Sequence, residues 1–381
     1  MSRLEDRSPV VADVGVPFVD LSPTTDAIRA QLTRDFEALL DTNAWTNGPQ
    51  VREFEDAFAA WCGVPECVGV ASGLDALRLG LLASGIDPGD EIVVPASTFI
   101  ATFEAVTQTG AVPVVVDVTE SDYGLDPGAV DAALSARTRA LLPVHLYGQL
   151  ADMRAIVAVA ERHGLEVFED ACQAHGAERD GVRPGHSSAW AAFSFYPSKN
   201  LGAFGDAGAV VSRDERLAAR IRALREHGET SKYRSERPGY TARLDTFQAC
   251  VLLRKLPHLD TWNDDRIRAA AHYADALAGV GDLRLPPTAH GSRPAWHVYA
   301  VRTAQRDRLV ESLRERGIAT AQHYPEPPHL SRAYERLGYA AGTFPVAEAI
   351  ANETVSLPFF PGITETQLDR VATAVVAYFA G

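Results

Sequence analysis

Lysine is nearly absent from this 381-residue chain: Lys199, Lys232 and Lys255 stand alone among 36 basic residues. Each of the three therefore calls for a reason, because lysine can deprotonate and condense with a carbonyl carbon whereas arginine stays charged. Net positive charge is also lacking, since 50 acidic residues leave a formal charge of −14. With no basic stripe to offset it, this charge argues against a nucleic-acid binder, although a local arginine pocket can still hold a small anion. Cysteine is scarce: Cys62, Cys67, Cys172 and Cys250 show no zinc-type spacing and read as small buried residues, so no metal site is expected. His323-Tyr324-Pro325 and Pro327-Pro328-His329 lack a carboxylate or cysteine at ligand spacing and read as a rigid loop beside a cleft. No apolar run reaches the ~20 residues of a membrane span. Met1 to Asp6 carry no apolar export segment. A cytoplasmic protein without a membrane anchor is expected. The nucleotide motifs G-x-x-x-x-G-K-[ST] and G-x-G-x-x-G are missing, as is the metalloprotease motif H-E-x-x-H.

What is present is β–α alternation. Residues 1–15 read as a frayed tail. Helical spacing follows over 26–40 and 51–61. Strands are expected at 67–70, 91–95, 112–118, 141–144, 165–168, 190–195 and 209–211. Helices fall between most of them: after Ser72, over 99–107 with Ser97 and Thr98 as caps, from 126 to 134, and over 151–163. A helix over 214–225 stops at Gly228, a loop covers 229–239, and a long helix over 244–277 breaks at Pro257. The last third carries a strand at 298–301, a helix over 306–315, and a helix over 364–378 opened by the capping box Thr364-Glu365-Thr366-Gln367. The pattern is α/β, a mostly parallel sheet with helices on both faces. A large domain over 16–255 and a smaller α+β domain over 256–381 are expected. Ligands in such sheets bind beyond the carboxyl ends of the strands.

Three stretches fall at those ends. Ser194-Phe195-Tyr196-Pro197-Ser198-Lys199 leaves a buried strand and places Lys199 in the turn beyond it. Glu169-Asp170-Ala171-Cys172-Gln173 closes the neighbouring strand. Alone, Lys199 reads as a solvated loop lysine and Asp170 as a helix cap. Together they are what pyridoxal 5′-phosphate requires: a lysine for the aldehyde carbon and a carboxylate that keeps the ring nitrogen protonated. The third stretch, Ala71-Ser72-Gly73-Leu74-Asp75, joins a strand to a helix start. It reads as a phosphate site or as a tight turn with a serine cap. Ser194 and Ser198 can add hydroxyls to the phosphate, Gln173 can donate to the phenolic oxygen, and Phe99 can stack on the ring. His175 either orients Asp170 or is a packed core histidine.

These residues resemble the DegT/DnrJ/StrS group of sugar-nucleotide aminotransferases, over about 16–378. Ser72-Gly73-Leu74-Asp75-Ala76-Leu77 is similar to the family's S-G-T-D-A-L turn, with Leu74 for Thr. Pro95-Ala96-Ser97-Thr98-Phe99 is similar to the stretch that bears the stacking aromatic. Residues 169–176 resemble E-D-A-A-Q-A-H-G, with Cys172 for the second Ala, and 194–201 resemble the lysine stretch. Gly239-Tyr240-Thr241-Ala242-Arg243-Leu244 resembles G-Y-N-x-R-L, with Thr241 where the family's Asn reaches the partner subunit's phosphate. The resemblance implies the aspartate aminotransferase-type fold (fold type I), bound pyridoxal 5′-phosphate and a homodimer with composite sites. Lys199 and Asp170 are then catalytic. Ser72, Gly73, Leu74, Phe99, Gln173, Ser194 and Thr241 contact the cofactor. Lys232, Tyr233, Arg243 and His323 contact the substrate. The family's dehydratases carry His where this chain has Lys199, so transamination is implied. The substrate is a nucleotide-linked keto sugar and the donor an amino acid, L-glutamate. The loop His145-Leu146-Tyr147-Gly148-Gln149 is similar to that of 3-aminotransferases acting on TDP-3-keto-6-deoxyhexoses. A 4-keto sugar, a cyclitol ketone, or a regulatory protein of the same fold are the alternatives.

Overall fold

The computed structural model describes residues 15–381. The frayed tail expected over 1–15 lies, but for Gly15, outside the described residues. Seven strands form the main sheet in the order Glu66–Val70, Gly208–Ser212, Trp190–Ser194, Glu166–Asp170, Thr138–Leu141, Glu91–Pro95, Val112–Val116. Gly208–Ser212 runs antiparallel to both its neighbours, and the remaining pairs are parallel. The strands are apolar runs such as Ile92-Val93-Val94 and Ala191-Ala192-Phe193, all fully buried. A sheet covered on both faces demands that composition. Register brings the carboxyl ends together: Val70 and Ser194 both pair with Gly208, and Asp170 pairs with Ala192.

Trp190 anchors the opposite, amino end of its strand, stacked on Phe168 at 4.8 Å. Helix Gly73–Ala83 lies directly on it at Gly80, where a Cβ would sit 2.7 Å from the indole. Glycine inside a helix costs about 1 kcal/mol against alanine, and here it admits the close approach that sets the helix start beside Ser194.

Several boundaries differ from the sequence reading. The helix expected at 99–107 is Ala101–Gln108, and no side chain caps it. Instead the Thr98 hydroxyl meets that of Thr102 at 2.7 Å, next to a buried carboxylate. The strand expected at 141–144 is Thr138–Leu141, because Pro143 has no N–H for a ladder. The loop expected at 229–239 contains a small antiparallel pair, Glu229–Ser231 with Arg234–Ser235. Its polar, exposed residues carry no alternation to read. The break at Pro257 and the capping box at Thr364 are both present.

Toward the C-terminus, strands Tyr299–Arg302 and Thr354–Leu357 pair antiparallel. Helices Leu259–Leu277, Arg306–Glu315 and Glu365–Ala380 enclose a second core around Tyr273, Tyr299, Leu309, Leu357 and Val371. Val16 joins that core and bridges Ile318. Arg302, buried, ties this part to the large sheet through Glu120 at 2.6 Å, and also contacts Glu353.

Lys255 is buried to 3% exposure under the turn that follows Lys199. Its Nζ donates to the Gly202 carbonyl at 2.8 Å, and no carboxylate pairs with it among the described residues. Burial pulls its pKa down to about 8. Between pH ~8 and its unfolded value near 10.5, the unfolded chain holds the extra proton, so stability rises with pH. Comparison with Lys255→Met should isolate this effect. Over that window the wild type should gain on the variant by up to about 1.4 kcal/mol per pH unit in chemical denaturation. A pH-independent difference would refute the assignment.

Candidate active site

The strand Trp190–Ser194 stops where Pro197 cannot donate to the sheet, and the chain turns tightly, with Lys199 N–H donating to Tyr196 O at 2.8 Å. The turn is held from outside. Asn200 Nδ2 donates to Asn263 Oδ1 at 2.8 Å and to Ala295 O at 2.7 Å, while Lys255 holds Gly202. Lys199 Nζ lies 3.5 Å from His297 Nε2. Burial lowers the pKa of Lys199, and the nearby Cys172 and Asp170 oppose that shift. Burial and the Lys199 charge push His297 well below the ordinary histidine value. His297 is therefore a neutral ring beside the amine, and its Nδ1 has no partner among the described residues.

Asp170 closes its strand almost fully buried. Its Oδ1 accepts from the Cys172 N–H at 3.2 Å and its Oδ2 from the Thr102 hydroxyl at 2.7 Å. A buried carboxylate needs such donors. Gln173 is clamped: its Oε1 accepts from Tyr147 N–H at 2.8 Å, and one Nε2 hydrogen goes to the Tyr324 hydroxyl at 3.0 Å. Phe99 remains half exposed, its ring 5.2 Å from that of Tyr324. His323 Nδ1 meets Ser356 Oγ at 2.8 Å, and burial, aided by the Lys199 charge, lowers its pKa to about 4. His175 makes no hydrogen bond to Asp170. It packs on Phe193 and Phe195, and burial lowers its pKa to about 3. It is the packed core histidine.

At the helix start, Asp75 N–H donates to Ser72 Oγ at 3.0 Å and Ala76 N–H to Ser72 O at 3.0 Å. The N–H groups of Gly73 and Leu74 are the ones an α-helix leaves for a ligand. A Cβ on Gly73 would stand 2.6 Å from Ser194 Cβ and 2.9 Å from Cys172 Sγ. This is a cup that any larger residue would fill. A cup of N–H and hydroxyl donors, a buried amine and a buried carboxylate together fit pyridoxal 5′-phosphate. Ser72, Gly73, Leu74 and Ser194 would hold its phosphate, Asp170 would meet its ring nitrogen and Lys199 its aldehyde carbon.

The remaining sequence candidates form a separate group. Lys232 and Tyr233 sit at the turn of the small hairpin, where Tyr233 is 86% exposed and Lys232 Nζ lies 5.3 Å over its ring. Thr241 Oγ1 is 3.3 Å from His227 Nε2. Arg243 pairs with Glu226 at 2.6 Å. No hydrogen bond or ion pair joins this group to Lys199 or Asp170 among the described residues. A bridge from Val70 to Arg243 nevertheless lays it along the strand that leads to Ser72.

Sequence reasoning missed Thr102, His297, and the part Tyr324 plays. Thr98 and Thr102 stand four apart, the one signal available. The loop 145–149 turns out to be framework. His145 Nε2 binds Glu169 at 2.7 Å, Tyr147 OH donates to His323 O, and Gln149 Oε1 accepts from Ala289 N–H at 2.8 Å.

Residues 26–376 match a family model described as the DegT/DnrJ/EryC1/StrS aminotransferase family. The dTDP-3-amino-3,4,6-trideoxy-alpha-D-glucose transaminase of Streptomyces venezuelae is 49% identical over 360 residues, covering 94% of this chain and 95% of that one. The erythromycin biosynthesis sensory transduction protein EryC1 of Saccharopolyspora erythraea is 47% identical, over 95% of this chain and 99% of its own. Among solved structures, DesV of S. venezuelae matches with a TM-score of 0.94 and 48% identity, covering 96% of this chain and 99% of that one.

Proposed function

This chain belongs to the DegT/DnrJ/EryC1/StrS aminotransferase family, and we propose that within it the protein moves an amino group from L-glutamate to C3 of a TDP-linked 3-keto-6-deoxyhexose. It is a pyridoxal-phosphate-dependent sugar aminotransferase. The choice of carbon and nucleotide is carried by the 49% identity to the S. venezuelae transaminase.

When bound, pyridoxal 5′-phosphate supplies an electrophilic carbon and an electron sink. The chain supplies the rest. Lys199 Nζ, whose burial favours its neutral form, takes a proton from the donor's Cα and later returns one, a general acid–base task. Asp170 presents a fixed negative charge, and the cup at Ser72, Gly73, Leu74 and Ser194 fixes orientation in advance. Phe99 and Gln173 border the same cleft. His323, Lys232, Tyr233 and Arg243 are the proposed contacts for the sugar and its diphosphate.

We further propose a homodimer in which the second copy completes the site. Tyr233 and a cluster of Phe36, Leu40 and Trp45 stand exposed among the described residues. Thr241 would then face the other subunit's phosphate. The division into 16–255 and 256–381 is likewise proposed, supported by the C-terminal core around Tyr273, Leu309 and Leu357, which Val16 also joins. No helix among the described residues is long and apolar enough to cross a membrane, and a cytoplasmic location is proposed.

A regulatory role is the second reading, favoured by the name of the S. erythraea relative. Against it stands the intact pair of Lys199 and Asp170. One experiment separates the readings. Purified protein should show a visible cofactor band that bleaches when L-glutamate is added alone. A 3-keto TDP-sugar should restore the band and gain its amine at C3. Preference for a 4-keto sugar would move the assigned carbon, and failure to respond to any amino donor would favour the regulatory reading.

A further inference from the structure

We propose that Thr102, itself held by Thr98, is a positioning residue that sets the orientation of the Asp170 carboxylate toward the cofactor ring. The inference rests on the aminotransferase reading and extends it to residues on another helix.

Several threonines in the helices of this chain bond backwards, one turn along. Thr33, Thr42 and Thr107 each donate to the carbonyl four residues earlier. This local habit is what a threonine hydroxyl does with a full turn of helix behind it. Thr102 departs from it. As the second residue of helix Ala101–Gln108 it has no such turn, and its hydroxyl crosses to Asp170 Oδ2, 68 positions away in sequence, at 2.7 Å. Thr102 is fully buried and Thr98 nearly so, at 3%. No water is needed to complete the chain of bonds.

The directions of both hydroxyls follow from charge. An ionised carboxylate only accepts, so Thr102 must donate to Asp170. Having spent its one hydrogen, Thr102 can only accept in its 2.7 Å contact with Thr98. Thr98 must therefore donate. Each bond polarises the next, and both hydrogens run toward the carboxylate. The other oxygen is held independently by Cys172 N–H at 3.2 Å. Two anchors on two elements leave the carboxyl plane no free rotation, so the charge is aimed before any ligand arrives.

The test reads cofactor binding without turnover. The dissociation constant of pyridoxal 5′-phosphate and the protonation of its 15N-labelled ring nitrogen would be measured for wild type, Thr102→Val, Thr102→Ser and Thr98→Val. Valine keeps the volume and branching of threonine and deletes only the hydroxyl. Thr102→Val should weaken binding about tenfold or more, the worth of a hydrogen bond to a charged group, and shift the ring-nitrogen signal. Thr102→Ser should restore both. Thr98→Val, one bond removed, should cost roughly threefold or less. Wild-type behaviour of Thr102→Val would overturn the proposal. So would failure of serine to rescue, which would assign the effect to packing. Wild-type protein that bound no cofactor would overturn the aminotransferase reading beneath it as well.

Discussion

Lys199→Ala is expected to yield folded protein with no lysine-linked visible band and turnover reduced by at least about 10⁴-fold. Neither of the other two lysines can take over. Lys232 lies on the exposed hairpin, and Lys255 is committed to the Gly202 carbonyl behind the turn. Stability should not fall, because the substitution removes a desolvated amine whose contact within hydrogen-bond reach is a neutral histidine at 3.5 Å. The check is a single-turnover experiment with L-glutamate, alongside a denaturation curve. Residual turnover within a hundredfold of wild type would mean that the proton is moved by another group, with His297 the first to examine.

Asp170→Asn should separate binding from chemistry. The amide has the size of the carboxylate and can keep the contact with Cys172 N–H, so the fold and much of the cofactor affinity should survive. What disappears is the negative charge facing the ring nitrogen. Removing a preorganised electrostatic partner of this kind costs about 10²–10³-fold in the chemical step. The half-reaction with L-glutamate, followed by loss of the visible band, should slow by that factor while the band itself remains. A rate within threefold of wild type would remove Asp170 from the mechanism. If the proposed orientation by Thr102 is correct, adding Thr102→Val to Asp170→Asn should cost far less than it does alone, because the two changes strike one unit.

The two largest effects concern the residues most readable from sequence. Lys199, Asp170 and Ser72 announce themselves because each follows a short apolar run, and such runs mark buried strands. A polar residue at the end of a buried strand has few places to point. Lysine scarcity added weight that an ordinary composition would have withheld. The alternation of strands and helices, the break at Pro257 and the capping box at Thr364 belong to the same class of local signal. So do the family motifs, which are contiguous stretches.

What the sequence could not carry is pairing at a distance. Thr102 reaches Asp170, His297 reaches Lys199, and Tyr147 reaches Gln173 and His323, across separations from 26 to 176 residues. Linear spacing holds no trace of them. The loop 145–149 shows the difference: its resemblance to 3-aminotransferases is legible in sequence, whereas the bonds from Tyr147 to His323 and from Gln149 to Ala289, which join the large sheet to the C-terminal part, are not. Local chemistry, set by backbone propensity, burial pattern and contiguous motifs, determined the fold class and the cofactor and put forward Lys199 and Asp170 as the two principal residues. The tertiary structure alone decided which groups touch them, because a hydrogen-bond partner is chosen by position in space after the chain has packed.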